Sequence, residues 1–108
     1  MGDPMEITAD ELKAKMGSGT RVTLVDVREP WEWDLCHLEG ARHIPMGEIP
    51  VRYLELEPDD EVVVYCHVGQ RSAMVVQFLR QQGFQKAVNL RGGIEAWARQ
   101  VDPTLRRY

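Results

Sequence analysis

Cys66 ends an apolar run, Val62-Val63-Val64-Tyr65, and opens the segment His67-Val68-Gly69-Gln70-Arg71-Ser72. A thiol followed at once by a glycine, an arginine and a serine has the residue types for nucleophilic chemistry on an anionic substrate. A run of β-branched and aromatic residues, a Gly-containing loop and then a helical pattern from Ser72 to Gln82 reads as strand–loop–helix. Ligands in such folds gather at the carboxyl ends of the strands, where helix N-termini present free backbone N–H groups. There Cys66 meets oriented donors, the positive end of a helix dipole and the guanidinium of Arg71. All three favour the thiolate, which is the nucleophile. The plainer alternative is a small buried hydrophobe. The Gly, Arg and Ser that follow argue against it, because they build an anion-binding loop rather than a core.

The other candidates carry less chemistry. Cys36 is the second of two cysteines and reads as filler; one disulfide or none could form, and a reducing setting favours none. Cys36-His37 and Cys66-His67 are paired Cys-His dipeptides. Structural zinc sites space their ligands two to five residues apart, and adjacent residues on an extended segment point to opposite faces, so no metal is expected. His67 either tunes Cys66 electrostatically or stands as an exposed loop imidazole. Gly69 supplies a backbone shape that a Cβ would block, and Ser72 is a helix N-cap or first-turn residue. Arg91, ahead of Gly92-Gly93, would add positive potential near the mouth. Trp31, Trp33 and Trp97 read as core or rim packing.

Elements that alternate along the chain must position these groups. Thr8-Ala9-Asp10-Glu11 is a capping box opening a short helix to about Met16, closed by Gly17-Ser18-Gly19. Arg21 to Val27 is valine-rich and suits a strand buried on both faces. Glu29-Pro30-Trp31-Glu32 starts a short helix with Pro30 in its first turn. Ala41 to Ile44 is a brief strand ended by Pro45, Glu48 to Leu54 a short helix, and Glu57-Pro58-Asp59-Asp60 a turn. The strand to Cys66 follows, then a helix from Ser72 to Gln82 with apolar Val75, Val76, Phe78 and Leu79, ending at Gly83. Ala87 to Leu90 is a last strand and Ile94 to Arg99 a last helix. Strands alternating with helices predict an α/β domain with a mainly parallel central sheet flanked by helices in three layers.

Length and composition fit one domain spanning residues 1–108. The chain has 108 residues, 44% hydrophobic and 28% charged, as expected of a soluble globular protein. A net charge of −4 without a basic stripe argues against nucleic acid as a partner. No apolar stretch approaches the ~20 residues of a membrane span. Neither does a charged-then-apolar leader appear, so a cytoplasmic location is expected. Met1-Gly2-Asp3-Pro4 reads as an addition ahead of a natural start at Met5.

Four segments together carry a family resemblance. Cys66-His67-Val68-Gly69-Gln70-Arg71-Ser72 resembles the active-site loop of the rhodanese family of single-domain sulfurtransferases. Val25-Asp26-Val27-Arg28-Glu29 is similar to the family's Asp-x-Arg-Glu signature. His37 through Gly40-Ala41-Arg42-His43-Ile44-Pro45 resembles its second signature, and Leu90-Arg91-Gly92-Gly93-Ile94 with Trp97 its closing Gly-Gly-x-x-x-Trp segment. They stand in the family's order over roughly residues 6 to 100. Two positions depart from the pattern: Cys36 replaces a usual glycine before His37, and Glu39 a frequent proline, both bearing on local turn geometry.

The resemblance implies a function. Cys66 would take the outer sulfur of a donor such as thiosulfate as a persulfide and pass it to cyanide, a thiol or a sulfur carrier. Backbone N–H groups of Val68, Gly69, Gln70, Arg71 and Ser72 would hold the anionic sulfur, and Arg71 would bind the donor's sulfonate end. Asp26 and Arg28 would support the loop through a salt bridge or hydrogen bonds. No cofactor is needed. The six-residue span from Cys66 through Arg71 separates this loop from that of the related cell-cycle phosphatases, which carry one residue more and enclose an oxyanion. Two alternatives stay open: an oxyanion enzyme on the same fold (arsenate reductase or phosphatase), and a non-catalytic interaction module. The tail from Val101 to Tyr108 resembles the ending of rhodanese modules fused to adenylyltransferases that activate ubiquitin-like sulfur carriers. Besides the small-molecule donor, that likeness implies a thioredoxin-like or sulfur-carrier protein as acceptor.

Overall fold

The valine-rich runs lie at the centre of a five-stranded sheet whose pairings are all parallel. The computed structural model describes residues 5–108, so the four residues before Met5 lie outside it. In chain order the elements are β1 (Glu6–Ile7), α1 (Ala9–Gly17), β2 (Thr23–Asp26), α2 (Pro30–Leu35), β3 (Arg42–His43), α3 (Ile49–Arg52), β4 (Val62–Tyr65), α4 (Gln70–Gln81), β5 (Val88–Leu90) and α5 (Gly93–Gln100). Across the sheet the strands run β1-β5-β4-β2-β3.

Strand parity divides the core into two. Val62, Val64 and Cys66 pack with Val25 and Val27 against Ile49 of α3 and Val75, Val76 and Leu79 of α4. Val63 and Tyr65 face the opposite way, with Leu24, Leu90, Ala9 and Leu12 of α1 and Ile94 of α5. Side chains alternate between faces along a strand, so β4 is buried throughout and Cys66 is aimed at the α4 layer.

Three expectations need correction. β1 has no counterpart in the sequence reading; it exists because Glu6 and Ile7 pair with Asn89 and Leu90 of β5. The single helix expected from Glu48 to Leu54 is a broken series: a 3-10 turn at Met46–Glu48, the four residues of α3, and a 3-10 turn at Tyr53–Glu55. Pro50 lacks an N–H and interrupts regular helix there. The helix after the loop starts at Gln70 rather than Ser72, because Gly69 caps it with φ +104°, a left-handed conformation natural to glycine. The capping box of Thr8 and Glu11 forms as expected. Among the described residues no helix is long and apolar enough to cross a membrane.

Topology also locates a crevice. The chain leaving β2 goes outward to the edge strand β3, whereas the chain leaving β4 goes to β5 on the other side. Segments following β2 and β4 therefore splay apart at their carboxyl ends, the arrangement that opens a binding crevice in parallel sheets. α2 and the loop after Cys66 face each other across it.

Candidate active site

Cys66 is 1% exposed. Its Sγ accepts from the Gly69 N–H at 3.1 Å and the Ser72 N–H at 3.4 Å, and the Ser72 hydroxyl lies 3.2 Å away. The same hydroxyl reaches Asn89 Oδ1 at 2.5 Å, and Asn89 Nδ2 donates to the Gly69 carbonyl at 3.0 Å. One hydroxyl carries one proton, so its two contacts serve alternate states. With a thiol, Ser72 donates to Asn89 and receives from sulfur; with a thiolate, its proton turns to Sγ. Ser72 is buried in the first turn of α4, and the N-cap is Gly69.

The last helix sets the loop's polarity. Ile94 N–H donates to the Cys66 carbonyl at 3.0 Å and Glu95 N–H to the His67 carbonyl at 3.1 Å. Both carbonyls are thereby turned to the N-terminus of α5, leaving the Gly69 and Ser72 N–H groups to face sulfur. Gly93 makes this approach possible: a Cβ there would stand 2.4 Å from the His67 oxygen and 2.6 Å from the Cys66 oxygen.

Arg71, expected to hold a donor's sulfonate, already has a partner within the protein. Its NH1 and NH2 donate to Oε1 and Oε2 of Glu32 at 2.6 and 2.9 Å, a bidentate fork across the crevice. Glu32 is 3% exposed and lies in α2, where Oε1 also accepts from the Glu29 N–H. Its Oε2 accepts from the Tyr108 hydroxyl at 2.6 Å. Burial alone would raise the Glu32 pKa, but the bonds from Arg71, Tyr108 and Glu29 prevail and hold it at about 2. Burial and the Glu32 carboxylate push the Tyr108 phenol up to about 12.

Asp26 and Arg28 form a fully buried pair, with Arg28 NH2 2.7 Å from Asp26 Oδ2. Parity places them on the face of the sheet opposite Cys66. Arg28 donates to the Tyr108 hydroxyl and the Cys36 carbonyl, so its link to the loop runs through Tyr108 and Glu32. The Tyr108 ring stacks on His67 with centroids 3.9 Å apart, and Trp31 meets it edge-on at 5.8 Å. His67 is thus neither fully exposed nor within the hydrogen bonds around sulfur. Val68 and Gln70 are exposed. Trp31 is rim, Trp97 packs on the core beside Ile94, and Trp33 stacks on His37 and His43. Arg91 is exposed and faces Glu6 at 3.5 Å. Both cysteines are free thiols, and Cys36 Sγ donates to the Arg106 carbonyl.

Three residues escaped sequence reasoning. Asn89 had a signal, a polar residue inside an apolar strand. Glu32 had a weaker one, a carboxylate in the first turn after the crevice strand. Tyr108 had none, because its partners lie as far away as Arg28.

A family description, the Rhodanese-like domain, matches residues 8–100. The chain is 41% identical over 104 residues to the probable adenylyltransferase/sulfurtransferase MoeZ of Mycobacterium tuberculosis, covering 94% of this chain and 26% of that protein's length. It is 42% identical over 100 residues to a sulfurtransferase of Allochromatium vinosum, covering 93% and 94% of the two. The crystal structure of a rhodanese-like domain protein from Staphylococcus aureus superposes with a TM-score of 0.83 at 36% identity, over 95% of this chain and 97% of that one.

Proposed function

The chain belongs to the rhodanese-like family, and from that premise we propose that it transfers sulfane sulfur through a persulfide on Cys66. The observation that carries the reading is the surround of Sγ: donors from Gly69 and Ser72, at the N-terminus of α4, with the loop carbonyls turned away. With thiosulfate, the Cys66 thiolate attacks the outer sulfur, the S–S bond breaks, and sulfite leaves with the electron pair. The Cys66 persulfide anion remains, so charge and sulfur balance without an outside oxidant. An acceptor thiolate or cyanide then takes the outer sulfur and regenerates Cys66, a covalent two-step transfer of ping-pong order. Backbone donors stabilise the anionic sulfur in both steps.

The likeness to MoeZ and the tail from Val101 to Tyr108 support a sulfur-carrier protein as one acceptor; a thioredoxin-like thiol is the other class. Chemistry that needs a thiolate suits a reducing compartment such as the cytoplasm. Intact-mass measurement after excess thiosulfate tests the reading. The wild type and Cys36→Ser should gain about 32 Da, one sulfur, lost on adding cyanide, and Cys66→Ser should gain nothing. An adduct that survives in Cys66→Ser, or that needs Cys36, refutes it.

A further inference from the structure

Three cations around the Cys66 loop are committed to carboxylates. Arg71 is clamped by buried Glu32, Arg28 by buried Asp26, and Arg107, on the rim of the open depression beside His67 and Val68, by Glu95. Beyond these pairs the mouth presents aromatic and aliphatic surface: Tyr108 stacked on His67, Trp31 at its edge, and Val68, half exposed on the loop. Glu95 shares the depression with His67, and the charges of Arg107, His67 and Arg99 all act on it. A dianionic donor beside a thiolate assembles three negative charges where the guanidiniums of Arg71, Arg28 and Arg107 are each already paired with a carboxylate. Like charges brought together slow association and weaken binding.

Resting on the sulfur-transfer reading above, we propose that Glu32 sets donor specificity by neutralising Arg71, so that the site takes sulfur from organic hydropersulfides of low charge in preference to dianionic donors. Topology gives Glu32 this part. It stands on the segment after β2, and the splay between β2 and β4 brings it directly opposite Arg71. Tyr108 and the Glu29 N–H hold it in place from the other side. The step is balanced: Cys66 thiolate attacks the outer sulfur of R–S–S–H, the S–S bond breaks, and R–S⁻ leaves with its electron pair. Cys66–S–S–H keeps the proton. In this protonated form the donor adds no charge at the reacting sulfur.

Two hydropersulfides with the same reacting group but different carriers isolate the effect: that of thioglycerol, neutral, and that of mercaptosuccinate, dianionic. Loading rates of Cys66 are followed by intact mass. Wild type should load from the neutral carrier at least about fivefold faster. Glu32→Gln keeps an oxygen for the Glu29 N–H but leaves Arg71 uncompensated, and should bring the ratio towards one by accelerating the dianion. Glu32→Asp, which keeps the charge, should retain the preference. Equal or faster wild-type loading from the dianionic carrier overturns the proposal even if the variants do not fold, and so does an unchanged ratio in folded Glu32→Gln. Loading from neither carrier, nor from thiosulfate, overturns the sulfur-transfer reading and this one with it.

Discussion

Replacing Gly93 by alanine tests whether close packing of α5 on the loop is what shapes the site. Gly93 has φ +63°, and the three atoms nearest its Cβ would all be backbone: His67 O at 2.4 Å, Cys66 O at 2.6 Å and His67 C at 2.6 Å. Alanine in the left-handed region costs about 1–2 kcal/mol. The clash cannot be relieved by a rotamer, so loop and helix must part, at about 1–3 kcal/mol by analogy with overpacking. Parting them weakens the Ile94-to-Cys66 and Glu95-to-His67 hydrogen bonds, worth about 1 kcal/mol each. The sum is roughly 4–7 kcal/mol, a large part of the stability of a domain this size. Gly19→Ala supplies the control: φ is +84° but nothing lies within 4 Å of its Cβ, so only the backbone cost of about 1–2 kcal/mol applies. Urea unfolding of both variants gives the difference. Where Gly93→Ala stays folded, persulfide loading of Cys66 should fall at least tenfold, while Gly19→Ala loads normally. Equal destabilisation of the two variants would mean that the approach to the loop carbonyls is not what demands glycine.

Two further outcomes follow from Glu32. Its carboxyl is held at about 2 against an ordinary 4.5, so as pH falls the unfolded chain takes the proton first. The stabilisation, on the order of 3 kcal/mol, is full above about pH 5 and drains away towards pH 2; the unfolding free-energy gap between wild type and Glu32→Gln should therefore shrink between pH 6 and pH 3, and a constant gap refutes the assignment. For the fork itself, a double-mutant cycle of Glu32→Gln and Arg71→Ala should give a coupling of about 1–3 kcal/mol in urea unfolding, and additive losses would show that the two side chains do not depend on each other.

The parts of the fold legible in the sequence are those with local causes. Val62 to Tyr65 announces a buried central strand because every residue in it is apolar, and a strand's end fixes where Cys66 must lie. Thr8 and Glu11 announce a helix start because their side chains and backbone satisfy one another. What was hidden depends on residues far apart in the chain. Glu6 and Ile7 become a strand only when β5 offers them partners. Arg71 reads as a free cation until strand order brings α2 opposite it, and only then does Glu32 become part of the site. Tyr108 joins Arg28, Glu32 and His67 through a tail without secondary structure. Composition around Cys66 pointed to it as the proposed nucleophile, whereas the charge balance around it emerged from topology.

The docking of α5 on the loop also bears on oxidative damage. In the finished fold Cys66 is almost wholly shielded, and peroxide must reach it past Gly69 and Ser72. That shield depends on α5, whose Ile94 and Glu95 hold the loop carbonyls. A chain in which β2 and β4 have paired before α5 seats would have its loop carbonyls unheld and its thiol open. Sulfenic, sulfinic and sulfonic acids form most readily on exposed thiolates, and the last two steps are not reversed by thiols. Refolding under peroxide should therefore oxidise Cys66 far more than the same dose given to the native protein.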